Sequence, residues 1–137
     1  MTINWEDSHA HCVVCGHDNN RSWKLKFLTD QNGKTSAEFQ GDNRFQGYKG
    51  ILHGGIIATL LDATMTHCLF HHNIIALTAD MRVRFVHPIS YNAFLTLEAT
   101  IIQSNKSIHV LKAEVLHQQK VMAWGKAKFI QTNYSKL

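Results

Sequence analysis

Proline is nearly absent from this chain of 137 residues: Pro88 is the only one. A segment without proline can form an unbroken helix, and a single proline ends the strand that precedes it. The chain also lacks long runs of Lys or Arg and lacks aromatic residues interleaved with basic ones, which argues against a nucleic-acid-binding protein. Its net charge of +4 is mild and indicates either a solvated basic surface or attraction for an anionic ligand.

Export and membrane signals are missing as well. The N-terminus has neither a basic segment nor an apolar run, so no signal peptide is expected. The three cysteines are an odd number, which together with the missing signal predicts reduced thiols in the cytoplasm. The least charged stretch, residues 51–79, contains Asp62 and four histidines, so no membrane span is expected. Repeats and linkers are absent, and the length predicts one domain over 1–137, with 1–23 as a lead-in segment.

The most informative segment, Gly54 to Phe70, begins with two glycines. Six of its residues recur with the period of a helix: Ile57, Leu60, Leu61, Thr64, Met65 and Cys68. Asp62 is the only formally charged side chain in the segment, so the helix must be covered on nearly all sides. A carboxylate inside it must be hydrogen-bonded or have a raised pKa. The two glycines leave the first N–H groups of the helix accessible to a ligand. The helix therefore offers hydrogen-bond donors at its start and a carboxylate about two turns later. Such a pair suits acyl chemistry.

The segments on both sides of this helix alternate polar and apolar residues, as strands do. The predicted strands cover 24–28, 35–39, 74–85, 95–101, 107–117 and 121–129. The turn signal at 30–33 joins the first two as a hairpin, and short connections join the last three as an antiparallel meander. The order β-β-α-β-β-β-β predicts an α+β fold, in which a curled antiparallel sheet wraps one long central helix.

The block from Gln46 to Asp62, with His53-Gly54-Gly55 at its centre, resembles the HGG-x6-D signature of hotdog-fold acyl-CoA thioesterases, in particular their PaaI-like, phenylacetate-pathway branch. Residues 12–16 are similar to the CxxCG lead-in of some members, and residues 80–88 are similar to the family's third strand with its final proline. The resemblance covers nearly the whole chain. It implies a hotdog fold and hydrolysis of a coenzyme A thioester without a metal or redox cofactor.

The resemblance also implies roles for four residues. By motif position, the N–H of Gly54 polarises the thioester carbonyl, and Asp62 of a neighbouring subunit is the general base or the nucleophile. Thr78 helps to place the attacking water. His53 either braces the turn or contacts the thioester. The family forms homodimers with a continuous sheet, and often homotetramers, with active sites at the dimer interface.

Substrate binding is expected from six further residues: Gly55, Gly47, Gln46, Tyr48, Arg82 and Arg84. The two arginines share one strand face, which is either a solvated outer face or a contact for coenzyme A phosphates. Aromatic residues near the helix entry indicate an apolar acyl pocket, equally compatible with aryl and medium-chain groups.

Besides Ile89, which follows Pro88 where the family usually carries Gly, two positions depart from the family pattern. Gly47 stands where many members carry Asn, so Gln46 is the candidate replacement for an orienting amide. Ala63 stands where CxxCG members often carry Glu. These departures favour a non-catalytic acyl-CoA-binding module as the alternative function, whereas Asp62 and Thr78 favour the enzyme. A hotdog dehydratase would need a hydratase motif, which is not found.

Cys12 and Cys15 admit three interpretations: a zinc site, a redox pair, or two thiols that shape the mouth of the substrate pocket. The histidines near them in sequence are His9, His11 and His17. Structural zinc usually has four ligands, often as two separated pairs, and the only other cysteine, Cys68, falls within the apolar helix. The sequence therefore favours thiols without a metal.

Overall fold

A computed structural model of the chain describes residues 5–131. In this range the helices are α1 (Trp5–Ser8) and α2 (Gly54–His71), and the strands are β1 (Leu28–Thr29), β2 (Thr35–Gln40), β3 (Ala76–Phe85), β4 (Phe94–Asn105), β5 (Ile108–His117) and β6 (Lys120–Gln131). A 3-10 turn, Asn43–Phe45, precedes α2. No helix of this range is long and apolar enough to cross a lipid bilayer.

The described strands form one antiparallel sheet in the order β1-β2-β4-β5-β6-β3. The short turns between β4, β5 and β6 place these strands side by side, as the sequence predicts. β3 follows α2 and pairs with the far side of β6, so β3 lies at one edge of the sheet. The predicted α+β fold and its element order are confirmed.

α2 packs across the curled sheet and contacts β2, β3, β4, β5 and β6. Its fully buried residues meet the inward side chains of the sheet. The largest fully buried apolar side chains of the core are Leu60, Leu61, Met65, Leu69, Ile89, Leu95, Leu97, Leu111, Val115 and Phe129. Burial of each such side chain stabilises the folded state by about 1.5–3 kcal/mol. The charge-poor helix therefore forms the centre of the hydrophobic core, and this fixes the position of its N-terminus.

The lead-in segment and the residues that follow it up to Phe27 cover the part of α2 that the sheet leaves open. The Trp5 ring stacks on Phe70 with centroids 4.8 Å apart, and Phe27 stacks on His67 at 4.0 Å. His9 meets the edge of Phe70 at 4.8 Å. The apolar side chains of α2 are thus shielded from water by the sheet on one side and by residues 5–27 on the other.

The strand predicted at residues 24–28 is wrong for all but its last residue. The N–H groups of Trp23 and Leu25 donate hydrogen bonds to the carbonyls of Val13 and Val14, both at 3.0 Å. Lys24 has a φ of 55°, which interrupts an extended chain. The backbone here therefore pairs with the cysteine loop, residues 12–16. For this reason the hairpin with β2 begins only at Leu28.

Candidate active site

The start of α2 is capped by the side chain of His53. Its Nδ1 accepts a hydrogen bond of 2.8 Å from the Gly55 N–H, so the neutral ring carries its proton on Nε2. A Cβ at Gly47 would lie 3.2 Å from the His53 ring, and one at Gly55 would lie 3.0 Å from Nδ1. Both glycines therefore leave space for the capping ring. This hydrogen bond braces the turn before α2, which is one of the two roles that the sequence predicts for His53.

The loop before α2 is held by Gln46. Its Oε1 accepts a hydrogen bond of 2.8 Å from the Gly50 N–H, and its Nε2 donates one of 3.2 Å to the Asn43 carbonyl. The His53 N–H donates to the Phe45 carbonyl at 2.8 Å. The amide oxygen and the amide nitrogen of Gln46 are thus both hydrogen-bonded to the loop backbone. Gln46 therefore fixes the conformation of the loop that leads into α2.

An apolar cavity of about 850 Å³ lies beside the helix start. Its lining includes Gln46, Gly47, Tyr48, His53, Gly54, Ile57, Phe85 and Pro88. In residues 5–131 no group accepts a hydrogen bond from the Gly54 N–H. A Cβ at Gly54 would lie 3.5 Å from the Phe85 ring, an ordinary contact distance, so the fold itself has room for alanine there. Glycine instead leaves the open N–H accessible to a ligand.

Asp62 lies on the half-buried face of α2, two turns after Gly54. Thr78 of β3 donates a hydrogen bond of 2.5 Å from its hydroxyl to Asp62 Oδ1. Burial raises the pKa of Asp62, the bond from Thr78 opposes the rise, and smaller effects come from Cys12, which raises it, and His9, which lowers it. Desolvation thus makes this carboxylate a stronger base than an exposed one.

A β-bulge aims Thr78 at the helix. The pairing of β3 with β6 shifts between Thr78, opposite the buried Phe129, and Asp80, opposite the exposed Lys128. The bulged residue, Ala79, reverses the alternation of side chains along β3. Without it, Thr78 would share the outer face with Asp80. The two predicted residues Asp62 and Thr78 meet because of this one extra residue.

The structure does not bring Asp62 to the open donor of its own chain. Gly54 and Asp62 are eight positions apart on α2, which corresponds to about 12 Å along the axis at about 1.5 Å per residue. Asp62 lines a separate cavity of about 140 Å³. One chain therefore holds the donor and the carboxylate of the expected site in two different places.

Arg82 and Arg84 lie on the outer face of β3, away from α2. Both are exposed, and they stand opposite Lys126 and Trp124 of β6. The structure thus places both side chains on a solvent-exposed face, and their contact with coenzyme A phosphates stays a prediction. Neither arginine lines the cavity at the helix start.

Residues of the lead-in segment lie beside Asp62, and the sequence did not predict that they would be close to it. The smaller cavity is lined by His9, Cys12 and Cys15 on one side. On the other side are residues of α2: Thr59, Asp62, Ala63, Thr66 and His67. Their spacing of three and four residues is that of one helix face, and this signal is present in the sequence. The partner segment across the cavity has no such signal.

Together, the long helix in a curled antiparallel sheet, its glycine entry and its half-buried carboxylate are the features of a hotdog protein. Residues 49–123 match the family model of the thioesterase superfamily. The chain belongs to this family, and the predicted resemblance to hotdog thioesterases is confirmed.

The chain is similar to several known proteins. Acyl-coenzyme A thioesterase THEM4 of Mus musculus is 35% identical over 63 residues, which are 46% of this chain and 27% of that protein. The matches span about a quarter of the length of these curated relatives. Among solved structures, thioesterase superfamily protein RHA08564 has a TM-score of 0.83 at 20% identity, covering 89% of this chain and 61% of that chain.

A hypothetical thioesterase from Streptococcus pneumoniae TIGR4, solved with coenzyme A, has a TM-score of 0.74 at 14% identity, covering 80% of this chain and 89% of that chain. At such identities the structural likeness shows the fold.

Proposed function

We propose that this chain hydrolyses a coenzyme A thioester to the free acid and coenzyme A. The observation that carries the proposal is the half-buried Asp62 carboxylate, which Thr78 holds in place on a helix with an open N-terminal donor. Membership in the thioesterase superfamily supports it. So do the name of the mouse relative and the coenzyme A in the Streptococcus pneumoniae structure.

In the proposed reaction, Asp62 acts as the general base. Thr78 occupies Oδ1, so Oδ2 is available to take a proton from water while the water oxygen attacks the thioester carbon. The carbonyl oxygen becomes an oxyanion and accepts a hydrogen bond from the Gly54 N–H. The carbon–sulfur bond then breaks, and the sulfur leaves with the proton held by Asp62. One water and one thioester thus give one acid and one thiol.

The separation of about 12 Å between Gly54 and Asp62 along α2 means that one chain alone cannot perform this step. We therefore propose a homodimer in which the Gly54 donor of one protomer faces Asp62 of its partner. β3 supports this arrangement, since it is an edge strand with exposed apolar residues at both ends, Leu77 and Phe85. A second copy would cover these residues.

The cavity at the helix start is the proposed acyl pocket. Its volume of about 850 Å³ lies within the range of about 300–1,000 Å³ typical of small-molecule sites. The lining is mainly apolar, with Leu52, Ile57 and Phe85 beside the donor. The half-buried Gln46 and the exposed Tyr48 lie at the pocket, where they contribute to binding.

Thiol release from a panel of aryl-CoA and short- to long-chain acyl-CoA esters tests the proposed function. Turnover of at least one ester supports it and identifies the acyl class. Tight binding of acyl-CoA without turnover of any ester would instead assign a non-catalytic acyl-CoA-binding module. An enoyl product from a 3-hydroxyacyl-CoA would assign a dehydratase.

We expect Thr78→Val to move the acid limb of the turnover profile to higher pH. The Thr78 hydroxyl lowers the pKa of Asp62, so its removal raises that pKa, and the base is then protonated at a higher pH. Because the Thr78 hydroxyl also holds the carboxylate in position, its loss predicts about tenfold slower turnover at neutral pH. A pH profile of kcat measures both effects.

Thr100→Val is the matched control, since Thr100 is an exposed strand threonine on β4. It should leave the profile unchanged. A Thr78→Val profile that coincides with that of the wild type would remove the Thr78–Asp62 hydrogen bond from the mechanism.

A further inference from the structure

A tight turn in the lead-in segment holds two sulfurs together. The Gly16 N–H donates to the Cys12 carbonyl at 2.9 Å, and the Val14 N–H donates to Cys12 Sγ at 3.3 Å. A Cβ at Gly16 would lie 2.5 Å from the Cys12 nitrogen, so only glycine fits there. The turn thus brings the sulfurs of Cys12 and Cys15 close together and directs a backbone donor at one of them.

His9 completes a group of three possible metal ligands. Its Nδ1 lies 3.6 Å from Cys15 Sγ, and the three ligand atoms of His9, Cys12 and Cys15 lie within 4.8 Å of one another. Zinc binds sulfur at about 2.3 Å and imidazole nitrogen at about 2.0 Å, so two such ligands of a tetrahedral ion are about 3.5 Å apart. The pair formed by His9 and Cys15 already has this spacing.

His67 of α2 supports the group from the other side. Its Nε2 lies 3.2 Å from Cys15 Sγ, and its ring is held by stacking on Phe27 at 4.0 Å. A thiolate bound to a metal can only accept hydrogen bonds, so His67 Nε2 is the donor in that state. Such outer contacts orient the ligands of metal sites. The sequence lacks a visible second half of the site because this residue is 52 positions away from Cys15.

We propose that His9, Cys12 and Cys15 bind one Zn²⁺ ion, with His67 donating a hydrogen bond to the Cys15 sulfur. Two thiolates and one imidazole suit this borderline-soft ion. Three protein ligands leave one tetrahedral position for water or another ligand, next to the cavity of about 140 Å³ that Asp62 also lines. The ion joins residues 9–15 into one rigid loop, and the hydrogen bond from His67 links this loop to α2 beside the carboxylate of the proposed active site.

Metal titration of the full chain under reducing conditions tests this site. With Co²⁺ as the probe, we expect one ion per chain, tetrahedral d–d bands and a sulfur-to-cobalt charge-transfer band. Added Zn²⁺ should displace the Co²⁺, remain bound through gel filtration and raise the Tm, since a ligand of the folded state stabilises it. Cys12→Ser, Cys15→Ser and His9→Gln should each lose this binding.

Three matched variants serve as controls: Cys68→Ala, His11→Gln and His17→Gln. Cys68 is buried away from the cluster, and the two histidines are exposed although they flank the same cysteines in sequence. All three should bind Co²⁺ as the wild type does. His67→Phe keeps a ring to stack on Phe27 but removes the donor, so its affinity should fall by about 10–100-fold.

Absence of the charge-transfer band in the reduced wild-type chain would overturn the proposal. So would equal Co²⁺ binding by the wild type and the Cys12→Ser variant, or a Cys12–Cys15 disulfide that excludes metal under these conditions. The measurements do not involve turnover, and Asp62→Asn should bind Co²⁺ normally. Failure of the metal site is therefore distinguishable from failure of the proposed thioesterase function.

Discussion

Asp62→Asn is expected to lower the turnover of an acyl-CoA ester by about a hundredfold or more, because the amide cannot accept a proton from water. Binding of the thioester should change little, since Asn retains the shape of the side chain and an oxygen that accepts the Thr78 hydrogen bond. Thiol release measured against substrate concentration separates the two parameters. The expected result is a large loss in kcat with KM nearly unchanged.

The same substitution should raise the Tm at neutral pH. Burial raises the pKa of Asp62 in the folded state, so its ionised form is less favourable in the folded chain than in the unfolded chain. The stability associated with this group is complete below the unfolded pKa and is lost as the pH rises through the folded pKa. Asn carries no charge, so its advantage should appear at neutral pH and vanish in acid.

The control is Asp80→Asn, which removes an exposed carboxylate from the outer face of the neighbouring strand. Its turnover and Tm should match those of the wild type. If Asp62→Asn retains wild-type turnover, Asp62 is not the base. If it loses turnover only because it unfolds, its Tm will be lower instead of higher.

Gly54→Ala is expected to reduce turnover by about a hundredfold, because a displacement of about 1 Å at a reacting centre has this effect. The added methyl group would obstruct the approach of the thioester carbonyl to the helix N–H. The fold should tolerate it, since the methyl carbon would lie 3.5 Å from the Phe85 ring. Steady-state kinetics and a thermal melt of the same variant check both statements, and unchanged turnover would exclude Gly54 as the donor.

Mixing the Asp62→Asn and Gly54→Ala variants tests whether the site combines two protomers. After subunit exchange, about half of the dimers are mixed and carry one intact site of two, so about a quarter of wild-type activity should return. The separately assayed variants are the control. A site contained in one chain would give only the average of the two low activities.

The sequence predicts α2 accurately because a helix is encoded locally. The predicted segment, Gly54 to Phe70, differs from the observed Gly54–His71 by one residue. Apolar residues at helical spacing and the two entry glycines are sufficient for this. The later strands are also predicted, with ends that lie within four residues of the observed ones, since their alternation and short turns are local signals as well.

The strand predicted at 24–28 shows where local signals fail. Its alternation is that of a half-buried strand, but Trp23 and Leu25 bond to the cysteine loop, so only the last of these residues pairs with β2. The Thr78 position is a second case. The Thr78 hydroxyl contacts Asp62 only because a β-bulge turns this side chain toward the helix, and the bulge arises from the pairing of β3 with β6.

For this protein, the sequence by itself determined the central helix, the order of the elements along the chain, the meander of the last three strands and the glycine–carboxylate signature, because each is set by neighbours within a few turns. Only the tertiary structure decided that Thr78 faces Asp62, that Arg82 and Arg84 face solvent, and that Cys15 meets His67 from 52 positions away. These contacts depend on strand register and on packing between distant segments. A change of one residue in register reverses the face of every side chain that follows, and no local pattern records it.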